Sequence, residues 1–381
     1  MDGAPAVEEE LDSVSLILPL PYRLALLIVL GVWLWGVNLH ALRLLKIDVP
    51  HLIRYPARSS TNQPSHHLSI YRFASLLTLP LLASVLLFWT LTHGTSHSVI
   101  VWHIVPNLYL LLLLLAFLIP VQHLPRAGRL RFLHTLRRIS IGGLAKTDDG
   151  KFGDVLLADA LTSYAKPLSE VYVTLCMLVT GQHTTARPDR HCGGTYILSI
   201  VMCVPFLIRF RQCIIDRQPA NALKYATAFP AIALSAMQRH AEDVGLTPTS
   251  LFRLWFFFAM INSLYSFYWD VARDWDLSLF SSDCNDPSHP FGLRRQRVFD
   301  SNTLYYAVIA VDLVLRCTWS AKLSVHLEHF YDIEGGIFLL EIMEIFRRWM
   351  WVFFRVEAEW LRARASGDVL LDDLGPKIDE D

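Results

Sequence analysis

The sequence predicts an all-α, polytopic membrane bundle of about nine transmembrane helices, with its N-terminus lumenal and its C-terminus cytosolic. Three observations carry this expectation. The 381 residues are 53% hydrophobic and only 18% charged, with a mean hydropathy of +0.35, whereas soluble domains sit near 25% charged. Mostly apolar runs of about 20 residues, the length that crosses the hydrocarbon, recur along the chain. Lys and Arg fall overwhelmingly on one side of those runs.

In chain order, the first run is 16–37. It carries Trp33 and Trp35 and no small-residue cleavage site follows it, so it reads as an uncleaved anchor. The runs 70–92, 99–119, 195–210, 251–269, 303–325 and 337–356 are comparably apolar. Two more are polar or short: 154–180 contains Asp159, Lys166 and Glu170, and 222–238 begins with Lys224 and contains Pro230. Nine such runs in a soluble protein would need a polar shell that the loops do not supply. In lipid, helices satisfy their own backbone groups.

Orientation follows from charge. Glu8, Glu9, Glu10 and Asp12 precede the first run without any Lys or Arg. On alternate sides, the segments 43–72, 120–153, 209–224, 273–302 and 355–381 hold 24 Lys and Arg, against only Arg187, Arg190 and Arg239 opposite. The chain thus divides into a short lumenal N-terminus (1–15), early spans with a basic cytosolic loop (16–150), a polar-lined core (151–361) and an acidic cytosolic tail (362–381). Within the basic loop, Arg131, Leu133, Leu136, Arg138 and Ile139 form an amphipathic pattern that predicts a surface helix on anionic lipid.

Several function classes are excluded at this level. A net charge of −1 gives no argument for nucleic acid. Six cysteines without a CxxC pair predict neither a disulfide framework nor a structural metal. His66, His67, His183 and His191 lack metal-ligand spacing and are expected in solvated loops. No Walker-type loop argues for a pump. No nucleophile–base pair argues for an enzyme, and His326, Glu328 and His329 read as a lumenal loop. No cofactor is implied.

Ionisable residues at membrane depth cost roughly 2.5–3.5 kcal/mol each on insertion scales, so they mark interior paths by default. Asp159, Ser163, Lys166 and Glu170 recur at helical spacing on one stripe. Asp312, Arg316 and Trp319 do the same, as do Glu341, Glu344 and Arg348, with Arg347 one step round. Lys224 and Tyr225 open the sixth run. Setting Lys224, Arg316, Arg347 and Arg348 against Asp159, Asp274 and Glu344 leaves one positive charge in excess, which an anion would complete. The planar fork of Arg suits tetrahedral oxyanions, favouring phosphate or sulfate over chloride. Structural ion pairs between helices remain the alternative reading.

Four stretches then resemble a known family. KFGDVLLADALTSYAKPLSEVYV (151–173), PFLIRFRQCIIDRQPANALKYATAF (205–229), YSFYWDVARDWDL (265–277) and LRCTWSAKLSVH (315–326) with LEIMEIFRRWMWVFFRVEAEWL (340–361) look like the EXS domain. That domain is shared by phosphate exporters of the xenotropic-retrovirus-receptor type and the yeast Golgi ER-retention-defective protein. The resemblance implies a phosphate-conducting bundle whose site residues are Asp159, Thr162, Lys224, Tyr225, Asp274, Arg316, Trp319, Glu344, Arg347 and Arg348. Thr162 stands where the family usually has Asn, and Asp276 where Gly commonly follows the Asp-Trp pair.

The exporters carry a long N-terminal SPX domain, whereas about 15 residues precede the first span here. The chain is therefore similar to the short Golgi branch, which implies a Golgi membrane protein returning phosphate released by lumenal glycosylation to the cytosol. The implied partners are inorganic phosphate and membrane lipids, without nucleic acid. A homodimer built through the early spans is compatible with the sequence. The resemblance also allows an adaptor role, retaining Golgi glycosyltransferases and ER lumenal proteins by binding coat components.

Overall fold

The computed structural model describes residues 11, 13–55, 65–119, 126–146, 149–194, 196–238, 247–281, 284, 290–318, 320 and 333–373, and among them all regular structure is helical. Trp319, the group His326, Glu328 and His329, and the end of the acidic tail lie outside the described residues.

The early helices form one layer. After the short α1 (Ser13–Ile17) comes α2 (Leu20–Leu44), opened by Pro19 and Pro21, whose missing N–H groups would have no partner in a first turn. A short α3 (Val49–Leu52) leads to α4 (His66–Thr92), and α5 (Ser96–Val101) leads to α6 (Ile104–Leu118). Leu20, Tyr22 and Leu24 of α2 pack with Phe73, Leu77 and Phe88 of α4 and with Tyr109 and Leu113 of α6. The outer faces are equally apolar: Leu79, Leu82 and Leu86 of α4 and Leu108 and Leu112 of α6 are exposed. A belt of that size is unstable in water and is what a helix presents to lipid.

Four helical stretches are long and apolar enough to cross a membrane by length and composition: Leu20–Leu44, His66–Thr92, Ser96–Leu118 and Ile197–Ile215. The protein is thus a helical membrane protein. The polar runs behave differently, because proline divides them. The run 154–180 is two helices, α8 (Lys151–Ser163) and α9 (Ala165–Val179), after the basic loop helix α7 (Arg126–Ser140). Pro167 has no N–H for the Ser163 carbonyl, and at the junction the Tyr164 N–H turns back to the Leu161 carbonyl at 3.0 Å instead of continuing the α ladder. After α10 (Ile197–Ile215), the run 222–238 is likewise α11 (Pro219–Ala226) and α12 (Ala228–Gln238), with Pro230 leaving the Ala226 carbonyl free. The single stripe expected through Asp159, Ser163, Lys166 and Glu170 is therefore cut at Tyr164.

The aromatic α13 (Pro248–Trp269) continues into one π turn, Asp270–Asp274, in which Trp275 N–H bonds to the Asp270 carbonyl at 2.8 Å. Then come α14 (Asn302–Arg316) and the 40-residue α15 (Glu334–Asp373), about 60 Å long at 1.5 Å per residue. Helix α15 packs against α2, α8 and α14 and forms the axis of the later half. Its fully buried Glu357 accepts from Arg294 at 2.8 Å and from the Val298 N–H at 2.7 Å, pinning the segment before α14.

Three sequence expectations are corrected. Cys176 and Cys192 form a disulfide across 16 residues, so cysteine spacing understated the covalent framework; the two are far apart in motif terms, and the turn through 181–191 brings them together. His67 is buried and stacks on His40, ring centroids 4.6 Å apart, because α4 begins at His66 rather than after a longer loop. His183, by contrast, stays exposed in its loop, edge-on to His103 at 5.0 Å. On α7, Arg129 caps the Ala116 and Ile119 carbonyls at the end of α6, and Arg138 pairs with Asp154, so part of its basic face serves packing.

Closing a loop of about 16 residues is worth about 3 kcal/mol by chain entropy. Replacing Cys176 and Cys192 by Ser is expected to lower the thermal midpoint of the detergent-solubilised protein, and reductant is expected to lower the wild-type midpoint but not that of the double variant. Equal midpoints for all four samples would show that the cross-link contributes nothing to stability.

Candidate functional site: a buried charge network

Five helices and the π turn converge on a network of buried charges. Asp159 of α8, 2% exposed, accepts from Arg209 Nε of α10 at 2.7 Å and from the Tyr225 hydroxyl of α11 at 2.6 Å. Arg209 also reaches Gln212 Oε1 at 2.6 Å and lies over the Tyr225 ring at 4.9 Å. Lys224, next in sequence, lies over the same Tyr225 ring at 5.3 Å and donates to Asp270 at 3.2 Å and Asp274 at 3.3 Å. The two aspartates stand four residues apart on one face of the turn, so a single ammonium meets both.

Asp270 is the hub. Besides Lys224 it receives Arg316 of α14 and, at 3.5 Å, Arg347 of α15. Arg316 Nε also bonds to Asp312 at 3.1 Å, and Arg347 joins Asp312 at 3.2 Å and Glu344 at 2.6 Å. Beyond, Arg355 lies 3.8 Å from Asp274 and 3.1 Å from Glu359. Burying so many charges is tolerable only because nearly all are paired and hydrogen-bonded.

Arg348 is the exception. It is 8% exposed, and its Nε and Nη2 donate only to hydroxyls, Ser163 at 2.9 Å and Thr162 at 3.2 Å. Its remaining face lies over Trp351 at 4.6 Å, and its buried Nη1 has no partner. Among the described residues no carboxylate lies within ion-pair distance of it. The hydroxyl protons point onward, from Ser163 to Glu344 at 2.7 Å and from Thr162 to the Asp159 carbonyl at 2.7 Å.

The structure thus brings together Asp159, Thr162, Lys224, Tyr225, Asp274, Arg316, Glu344, Arg347 and Arg348, while Trp319 lies outside the described residues. It changes the charge count. Arg209 and Asp270 join, and Asp312 enters the balance, so Lys224 and four arginines face five carboxylates rather than leaving one cation in excess. Sequence reasoning placed Arg209 among loop charges because the apolar run thins at 210, but α10 continues to Ile215. Asp270 stands four residues before Asp274, a spacing that puts both on one helical face, so it was within reach of the same reasoning.

A second network closes the far end of α15. Arg190, in the loop tethered by the disulfide, bonds Glu334 at 2.7 Å and Glu170 at 3.0 Å, while Arg23 of α2 reaches Glu334 at 2.8 Å and Lys166 pairs with Glu170 at 2.9 Å. Burial pulls the Arg190 guanidinium down, but these carboxylates outweigh it and hold it above its ordinary value. Arg23 is 2% exposed, yet its Nε and Nη2 have no partner. Glu334, Glu341, Arg348 and Arg355 repeat every seven residues on α15, so one helical stripe, about 21 Å from Glu334 to Arg348, links the two networks.

Comparison with known proteins shows that the chain belongs to the EXS family. The EXS family profile matches residues 18–361. Protein ERD1 homolog 1 of Schizosaccharomyces pombe is 32% identical, covering 93% of this chain and 94% of its own length, and Protein ERD1 homolog 2 of the same organism is 29% identical, covering 90% and 96%. Solute carrier family 53 member 1 of Mus terricolor is 29% identical over 89% of this chain and half of its own length.

Removing Asp159 would strand Arg209 and the Tyr225 hydroxyl in a buried setting, so Asp159→Ala is expected to destabilise the fold by about 3–5 kcal/mol. In a thermal double-mutant cycle with Arg209→Met, the second substitution is expected to recover part of that loss. Additive losses would show that the pair is not coupled.

Proposed function

Starting from the chain's membership of the EXS family, we propose that this membrane protein is a facilitative phosphate transporter of the Golgi, returning lumenal inorganic phosphate to the cytosol. The observation that carries the reading is Arg348, a desolvated guanidinium with a free N–H, set beside Arg347 and two hydroxyls where a tetrahedral oxyanion can sit. Arg347 and Arg316 add further guanidinium donors from α15 and α14. Phosphate would take the places that Glu344 and Asp312 hold at rest. Those carboxylates then compete with it, which keeps binding weak enough for the ion to leave.

The proposed path follows the stripe on α15. Its lumenal mouth is the network of Arg23, Lys166, Glu170, Arg190 and Glu334, and its inner site is the one around Arg348. Broken helices beside a midplane site are a transporter device, since they place half-helix ends and freed carbonyls next to the ion. Here α8–α9 and α11–α12 supply two such breaks. Nine spans with a lumenal N-terminus fit this layout. The disulfide then lies on the oxidising, lumenal side. Lys46, Arg54 and Arg217, which hold left-handed positions at helix ends where Gly is usual, then all lie on the cytosolic side.

A second reading, a sorting adaptor for Golgi enzymes, is supported by the similarity to the ERD1 homologs. The two separate cleanly by truncation after Ala365. Arg362 pairs with Asp276 and bonds to the Arg273 carbonyl, so a cut before it would disturb the π-turn region as well.

The decisive measurement is radiolabelled phosphate uptake by liposomes holding the purified protein, with sulfate as competitor. Wild type is expected to conduct, and Arg316→Ala, Arg347→Ala and Arg348→Ala to lose flux tenfold or more while eluting as folded protein. Wild-type flux in all three variants, or no flux from folded wild type, would overturn the assignment. Truncation after Ala365 is expected to leave flux intact.

A further inference from the structure

A cavity of about 240 Å³ opens where α2 ends and α4 begins, lined by Leu39, Arg43, Lys46, Ile47, Asp48, Pro50, His66 and His67. It shares no residue with the central network or the lumenal mouth. Its polar lining is cationic. Arg43 and Lys46 are exposed and make no ion pair among the described residues, while Asp48 is turned to the N-terminus of α3, accepting from the His51 N–H at 3.3 Å. His67 is held in place by its stack on His40 and by Ser65 at 3.2 Å, and the Tyr71 hydroxyl steadies His40 at 3.2 Å.

The backbone fixes where Lys46 points. Helix α2 ends with Ile47 N–H on the Leu42 carbonyl and Lys46 N–H on the Arg43 carbonyl, both at 2.9 Å. Lys46 takes the left-handed position, φ 63°, which glycine occupies at least cost. Ile47 and Leu42, both buried in the same core, anchor the chain on either side. The ammonium is thereby presented at the rim from a rigid end rather than from a loose loop. Arg43, one turn earlier, stands beside it.

We propose that this cavity binds a phosphoryl group on the cytosolic side, at a place separate from the central network, carried either by a lipid headgroup or by free phosphate. Arg43 and Lys46 supply both charge and N–H donors, and the apolar Leu39, Ile47 and Pro50 suit the ring or stem that carries the phosphate. The cavity lies at the C-terminal end of α2, a helix long and apolar enough to cross a membrane. That position suits the headgroup of a phosphorylated inositol lipid as well as free phosphate.

The test measures anisotropy of a fluorescent short-chain phosphatidylinositol 4-phosphate with the full chain in detergent, beside the same probe lacking the 4-phosphate. Wild type is expected to prefer the phosphorylated probe, Arg43→Ala/Lys46→Ala to weaken it about thirtyfold, and Lys46→Gly about fivefold. Lys46→Gly relieves the backbone, so its thermal midpoint is expected to hold or rise, which separates lost binding from lost fold. Competition by inorganic phosphate identifies free phosphate as the occupant, and its absence identifies the lipid. Equal binding of the two probes overturns the proposal. So does a loss caused by Arg348→Ala but not by the Arg43 and Lys46 variants, which would mean the probe reads the central network. Failure of phosphate flux leaves this result untouched.

Discussion

The later half of the molecule is organised by the need to neutralise Arg347. This guanidinium is buried on the axis helix and reaches Glu344 on its own helix, Asp312 on α14 and Asp270 at the π turn. Each of those carboxylates in turn draws in another group: Ser163, Arg316 or Lys224. An isolated charge at this depth would be untenable, so packing of α8, α11, α13, α14 and α15 is conditional on the network closing. Apolar contacts alone would hold these helices together without setting their rotation.

Two kinds of assembly coexist in one chain. Among α2, α4 and α6, interlocking Leu, Phe and Tyr define the contacts, and polar groups are few: the Tyr109 hydroxyl donates to the Leu77 carbonyl at 2.8 Å, and Trp33 Nε1 to Thr78 at 2.9 Å. Around α15 the contacts are ionic and aromatic at once, with Trp275, Trp351 and Phe354 enclosing the charged stripe from its flank. The first half is a platform that turns its other faces to lipid. The second half supports a chemistry.

How much of this was legible in the sequence depends on periodicity. The helical class and the early spans follow from uninterrupted apolar runs. Of the expected site, Lys224, Arg316, Arg347 and Arg348 were readable because a charge inside an apolar run is conspicuous. Arg209 escaped because it sits where an apolar run thins, and Asp270 because it lies just past the end of the apolar run 251–269. The one-stripe reading of 154–180 failed at Pro167, whose effect on the Ser163 carbonyl was not weighed. The disulfide escaped because its two cysteines share no motif and meet only once the turn between them is formed. The excess positive charge was an artefact of counting only conspicuous residues. What replaces it is local: a balanced network in which one arginine is left to hydroxyls.

The π turn at Asp270–Asp274 holds one residue more than the α turn it replaces. The turn closes on its own hydrogen bonds, from Trp275 N–H to the Asp270 carbonyl at 2.8 Å and from Leu277 N–H to the Val271 carbonyl at 3.0 Å, and it is the last turn of its helix. Trp275, fully buried beside Phe354, wedges that end in place. Both carboxylates that neutralise Lys224 therefore sit on a helix terminus whose length is fixed by one aromatic side chain, and a residue inserted or deleted between Asp270 and Asp274 would turn Asp274 by about 100° away from the ammonium.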